Sequence, residues 1–266
     1  MLNFVKYHLY RPIKKKIKNY KINKYSLKNF GNYSLLLNVE HYTQFMMFHY
    51  PYEPEISNFI KKKIKKNDFV IEVGCHIGFF TCLIASIINK GHLLGFEPNT
   101  NNYNLLKNNI NINNFKNVSL MKVALSNKNK QTKLHLNKFN EGGHSISENI
   151  NHKKFSNYEL IKSKKLDDYM NIINKEIKLI KIDAEGHEDQ ILIGMEKLLK
   201  NKKIAPKYII IETENLQKLR RIFSYLVKYD YLIYSNINDK CYDNIERYRS
   251  FYSKKEDYRE TIFLKN

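Results

Sequence analysis

Short apolar runs alternate along this chain with longer segments whose apolar residues recur every three or four positions. The runs near 69–73, 92–96, 118–122, 178–182, 207–212 and 230–235, and another near 259–264, predict β-strands. Segments 78–89, 100–112, 187–200 and 215–228 carry the helical period. Strands that alternate with helices predict an α/β architecture: a doubly wound, mostly parallel seven-stranded sheet with helices on both faces. Only 127–176 breaks this rhythm. It has a strand pattern near 131–136, the turn-forming run Asn140–Ile146, and a Lys/Asn-rich stretch. It reads as an insertion before the fourth main strand, a lid or substrate-facing loop with Gly142–Gly143 as a candidate hinge.

The segment before Tyr52 differs in character. Met1–Val39 contains no acidic residue and includes Arg11-Pro-Ile-Lys-Lys-Lys-Ile-Lys18. Residues 1–51 are therefore read as a basic and aromatic extension, 52–266 as the main domain. The first 39 residues read as a lysine-rich, partly helical lead-in, or as an arm for nucleic acid or an anionic membrane surface. Glu40–Tyr52, rich in aromatics and Met, is expected to pack on the sheet or to cover a bound cofactor or substrate. Pro54 opens a helix that ends in lysines, which suit its C-terminal dipole.

Charge adds less than it first promises. The 266-residue chain has 46 Lys+Arg against 26 Asp+Glu, a net +20. That balance suits an anionic partner. Yet Lys, Asn, Ile, Tyr and Phe are abundant and Trp is absent, as a coding sequence rich in A and T would produce. Cys75, Cys82 and Cys241 form no Cys-x-x-Cys pair, so free thiols in a cytoplasmic setting are expected, in a host cytoplasm or virion if the source is viral. No apolar stretch approaches the ~20 residues of a membrane span.

The chemistry concentrates at Phe69-Val-Ile-Glu-Val-Gly-Cys-His-Ile-Gly-Phe79. A strand ends in an acid, breaks into Gly-x-x-x-Gly and enters a helix, at the sheet edge where α/β proteins bind ligands. Gly74 lets the backbone turn sharply, Gly78 lets the helix start close, and the helix start offers N–H groups to an anion. The dinucleotide pattern fails, because His76 and Phe79 occupy its second and third glycine positions. S-adenosylmethionine (SAM), which has no phosphate, suits the loop better. Glu97 ends the next apolar run about 20 residues past Gly78, the spacing of a ribose-binding acid. Asn99 is placed to touch the ribose or to cap the following helix.

Glu72-Val-Gly-Cys-His-Ile-Gly78, Gly95-Phe-Glu-Pro-Asn99, Val123-Ala-Leu-Ser126 and Lys181-Ile-Asp-Ala-Glu-Gly-His-Glu188 resemble, in order, the signature blocks of the FkbM-type SAM-dependent methyltransferases. The resemblance runs from about Tyr52 to the C-terminus. It implies a Rossmann-like fold, SAM as cofactor, and Glu72, Gly74, Cys75, His76, Gly78, Glu97 and Asn99 around it, with Ala124 and Leu125 beside the adenine. Cys75, His76 and His187 depart from the usual pattern, which has Ala-Asn in the first loop and a small residue in the last block. No glycine or carboxylate is lost by these changes.

Methyl transfer to a hydroxyl needs the acceptor held in line with the methyl group and its proton removed. Asp183, at a strand end on the active face, is the leading catalytic candidate; Glu185, His187 and His144 are the others. Glu188 is read as a helix N-terminal charge. A divalent metal is a secondary expectation, on Asp183, Glu185 and Glu212. His41, His49 and His152 are read as incidental. The leading function is O-methylation of a hydroxyl on a sugar, glycan or small metabolite. The alternatives are an RNA ribose methyltransferase using the basic surface and a non-catalytic scaffold that retains the fold.

Overall fold

The computed structural model describes residues 24–137, 140–147, 155–173, 175–213, 215–252 and 260–266. The basic run Arg11–Lys18 and His152 lie outside them. In chain order the strands are β1 (Tyr25–Asn29), β2 (Ser34–Asn38), β3 (Phe69–Val73), β4 (His92–Phe96), β5 (Val118–Met121), β6 (Ala124–Leu125) and β7 (Lys130–Asn137). They continue with β8 (Phe155–Lys164), β9 (Ile177–Ile182), β10 (Tyr208–Glu212), β11 (Tyr231–Ser235), β12 (Lys240–Tyr242) and β13 (Glu260–Lys265). The helices are α1 (Tyr42–His49), α2 (Pro54–Lys63), α3 (Phe79–Ile87), α4 (Thr100–Ile112), α5 (Glu188–Ile193), α6 (Glu196–Lys200), α7 (Leu216–Leu226) and α8 (Ile245–Tyr252).

The central sheet runs β12-β11-β13-β10-β9-β3-β4-β5. β5, β4, β3, β9 and β10 are mutually parallel, and β13 inserts antiparallel between β10 and β11. Strand residues alternate between two cores. Ile71, Ile180 and Ile209 face a cluster with Ile191, Leu219 and Ile222 of α5 and α7. Val70, Leu179 and Ile210 face a second cluster with Phe59, Ile84 and Leu106 of α2, α3 and α4. Strands buried on both sides explain the near-continuous apolar runs. This is the doubly wound, Rossmann-like arrangement expected, with one addition: short β12 pairs β11 through Ile233–Tyr242 and makes the described sheet eight-stranded.

Three further differences have local causes. Residues 25–38 form a β-hairpin rather than a partly helical lead-in. Gly31 takes a positive φ of 93° at its turn, Asn29 Oδ1 accepts from the Gly31 N–H at 2.6 Å, and Leu35 and Leu37 enter the second core. The helix expected over 187–200 is broken between α5 and α6. A β-carbon at Gly194 would collide with the Ser126 carbonyl, and the Gly194 carbonyl accepts the Asp167 N–H at 3.1 Å. The irregular insertion contains a long strand, β8, that pairs with β7 along its length and with β6. Its outward Tyr158 and Leu160 stand 46% and 59% exposed, which hides the polar-out alternation of a half-buried strand.

Candidate functional site

The carboxyl ends of β3, β4, β9 and β10 open into a cavity of about 440 Å³. The β3–α3 turn forms its floor. Gly74 has φ 83° and accepts no β-carbon, because one would collide with the backbone carbonyl of Asp183. The Gly74 and Cys75 N–H groups both donate to the Phe96 carbonyl, at 2.9 and 3.1 Å. Gly78, φ 95°, caps α3, and a β-carbon there would come within 2.6 Å of Leu106 Cδ1. These glycines fasten three strands to one turn with no side chain between.

His76 projects into the cavity from a left-handed backbone, φ 51°. Its N–H donates to Glu97 Oε2 at 2.8 Å, and the Asn99 N–H donates to Oε1 at 2.9 Å. Two backbone donors therefore orient Glu97, and a carboxylate still has lone pairs to offer a ligand. Burial pushes the Glu97 carboxyl up to about 8. Burial, with His144 nearby, lowers the His76 imidazole to about 4. Ala124, Leu125, Leu134 and Ile146 make an apolar wall beside Glu97.

Glu72, Cys75, Gly78 and Asn99 do not line the cavity. The Glu72 carboxyl accepts from Thr81 Oγ1 at 2.7 Å, and burial pushes it up to about 7. Cys75 Sγ is buried over Gly95, whose added β-carbon would meet it at 2.8 Å. Asn99 is the N-cap of α4, accepting from Asn102 N at 3.0 Å. Their contribution to the site is the shape of the turn and of the Glu97 loop.

Asp183, Glu185 and Glu212 converge, each offering a carboxylate oxygen within 4.8 Å of the others. Strand alternation puts Lys181 on the same side of β9 as Asp183. Lys181, 2% exposed, donates from Nζ to Asp183 Oδ2 at 2.9 Å, approaches Glu260 Oε1 at 3.8 Å and covers the Phe80 ring at 4.8 Å. Glu212 Oε2 is buried with no hydrogen-bond partner. Burial, then the neighbouring Asp183 and Glu185, push that carboxyl up to about 10, so it holds its proton at neutral pH. Glu188 is held by other partners. Its Oε1 accepts from Ala184 N at 3.1 Å and Gly186 N at 3.2 Å, and Lys218 meets Oε2 at 2.6 Å.

His144 and His187 both reach the cavity wall. His144 Nδ1 accepts the Asn137 N–H at 3.0 Å, and burial lowers the ring to about 4. His187 Nε2 lies 3.0 Å from Ser126 Oγ. Residues 140–147 fold across the opening: Ser145 Oγ donates to the Glu185 carbonyl at 2.6 Å, Glu141 pairs with His41, and Thr43 donates to Asn140. His41, read as incidental, thus holds this flap.

A model of the FkbM methyltransferase domain matches residues 72–233, more than half of the chain. The chain belongs to the FkbM methyltransferase family. Its cofactor is S-adenosylmethionine. Among curated proteins none matches it. Among solved structures, a protein described as an rRNA-methylase from Clostridium thermocellum is similar at TM-score 0.48 and 12% identity, covering 80% of this chain and 93% of that one. Precorrin-6y C5,15-methyltransferase from Geobacter metallireducens gives 0.46 and 8%, over 79% and 89%. M. jannaschii TYW2, solved with AdoMet, gives 0.44 and 15%, over 81% and 78%.

The residues of this FkbM member fit its cofactor. An oriented carboxylate next to an apolar wall matches a ribose diol next to an adenine, and the bare Gly74 turn leaves room beside them. Two residues at or behind the cavity carried no signal of their own. Lys181, buried behind Asp183, stood unassigned inside the Lys-Ile-Asp block. Glu260 becomes visible only once β13 pairs antiparallel with β10, opposite Glu212. Tyr42, Thr43 and Met46 line the cavity as the aromatic and Met-rich segment allowed. Among the described residues no helix is long and apolar enough to cross a membrane.

Proposed function

We propose that this methyltransferase transfers the methyl group of SAM to a hydroxyl of a sugar, glycan or small polyhydroxylated metabolite. The observation that carries the reading is the acidic end of the cavity, where Asp183, Glu185 and Glu212 meet. Carboxyl groups there accept or donate hydrogen bonds to a neutral polyol and repel a phosphodiester backbone.

Bound SAM supplies an electrophilic methyl group on a sulfonium sulfur. Glu97 holds the ribose hydroxyls, and Ala124, Leu125 and Leu134 enclose the adenine. Asp183 would accept the acceptor's O–H hydrogen bond and take up its proton. Lys181 donates to the Asp183 carboxylate and keeps it aimed. Glu212, protonated, donates to a neighbouring acceptor oxygen. His144 is a poor base here, because Nδ1 is occupied by the Asn137 N–H and Nε2 then carries the proton. His187 Nε2 is engaged with Ser126 Oγ. Glu185 lines the acceptor side with Asp183.

The test is transfer of labelled methyl from SAM to panels of neutral glycans, polyols and RNA. Label in the neutral hydroxyl compounds, abolished in Asp183→Asn with binding of S-adenosylhomocysteine (SAH) intact, supports the reading. Label in RNA alone, or full turnover by the variant, overturns it.

A further inference from the structure

Glu159 lies mid-way along β8, opposite Leu134 of β7. Its carboxylate leaves the small β6-β8-β7 sheet and reaches the start of α4. It accepts from Thr100 N at 3.1 Å, from Asn99 Nδ2 at 3.0 Å and from the Thr100 hydroxyl. Lys122 Nζ stands 3.9 Å away. A carboxylate is favourable at a helix N-terminus, and hydrogen bonds to an ionised acceptor are stronger than neutral ones. The groups it holds lead to the cavity: the Asn99 N–H donates to Glu97 Oε1, and the His76 N–H to Oε2.

The same strand backs the apolar wall beside Glu97. β8 pairs with β6 through Ala124 and Ser163. Ala124, Leu134 and Ile161 form the small core of this sheet. Ala124 and Leu134 also line the cavity. One strand thus touches both the loop that carries the ribose-facing carboxylate and the apolar wall beside it.

We propose that Glu159 is a positioning residue for the cofactor, a latch that fixes the spacing between the Glu97 carboxylate and the apolar wall. The inference rests on the reading that Glu97 takes the ribose and this wall the adenine. Without the latch, the Glu97–Asn99 turn and the small sheet move independently, and the nucleoside end of the ligand is held less firmly. The methionine end of the ligand would gain nothing from it.

The test is calorimetric titration of the full chain with SAH and, separately, with adenosine, for wild type, Glu159→Ala, Glu159→Gln and Glu97→Ala. Urea unfolding of each variant is followed in parallel. Glu159→Ala should weaken SAH by about tenfold, the scale of a lost charged hydrogen bond. Adenosine should weaken by the same factor, and Glu159→Gln, which retains an acceptor oxygen, should recover part of the loss. A purely structural role would lower the urea midpoint and leave the two affinities unmoved. If Glu159→Ala does not fold, Thr100→Val removes one of the three bonds and should weaken both ligands by about threefold. Wild-type affinity in folded variants that lack the latch, while Glu97→Ala loses SAH, overturns this proposal alone. A loss for SAH that adenosine does not share overturns it too. Failure of the wild-type protein to bind SAH overturns the cofactor reading and this inference together.

Discussion

Replacing Lys218 by Met should be among the most damaging single changes outside the cavity. Lys218 and Glu188 meet at 2.6 Å with side chains 4% and 0% exposed. Glu188 also accepts the N–H groups of Ala184 and Gly186 and so fixes the turn after Asp183, where Glu185 and Gly186 take positive φ angles of 47° and 95°. Removing the lysine leaves a buried carboxylate without its counter-charge, at a cost of about 3–5 kcal/mol. Against a total stability of ~5–15 kcal/mol, that is a third or more of what holds the fold. Glu188→Gln in the Lys218→Met background removes the stranded charge and retains an oxygen for the two backbone donors. The double variant should therefore be more stable than Lys218→Met by about 2 kcal/mol or more. Urea unfolding of wild type, both single variants and the double variant measures the coupling. Additive effects, or a Lys218→Met loss below about 1 kcal/mol, would refute the claim that this pair braces the turn.

Two other outcomes follow from the site. Gly74→Ala should cost about 2–5 kcal/mol, combining a left-handed alanine with a collision against the Asp183 carbonyl, and a variant within ~0.5 kcal/mol of wild type in urea would show that the turn relaxes. The pH dependence should also report on Glu97. Its carboxyl is raised from 4.5 to about 8, so between those values the folded protein holds a proton that the unfolded chain has released. The stabilisation is complete below pH 4.5 and is lost as pH rises through 8. His76 and His144, lowered from 6.5 to about 4, act in the opposite sense below 6.5 and are neutral in both states above it. From pH 6.5 to 8, ligand-free wild type should therefore lose more thermal stability than Glu97→Gln. Equal slopes would remove Glu97 as the source.

The sheet was legible because its strands are buried on both faces. Runs such as Phe69–Val73 and Tyr208–Glu212 have no competing helical period. Glu97 could be singled out because it stands about 20 residues past Gly78, the spacing expected of a ribose-binding acid, and the structure places it in the cavity lining. The contributions that escaped depend on pairings distant in sequence. Glu159 gains its place only when β8 docks on α4, and Glu260 only when β13 folds back beside β10. The β1–β2 hairpin was hidden because its outward positions include Tyr25 and Leu27, 47% and 59% exposed, so no polar-out alternation marks the strand. Gly194 gave no sign of the tight approach to Ser126 that splits the predicted helix. Cys75 and Asn99 stand in the expected blocks, yet their side chains shape the loops instead of lining the cavity.

The most direct measurement is calorimetric titration of the purified protein with SAH, with NADH as control and Glu97→Ala alongside. The account predicts that wild type binds SAH and not NADH, and that Glu97→Ala loses most of the affinity. Binding of NADH, or no binding of SAH by a folded wild-type protein, would contradict it.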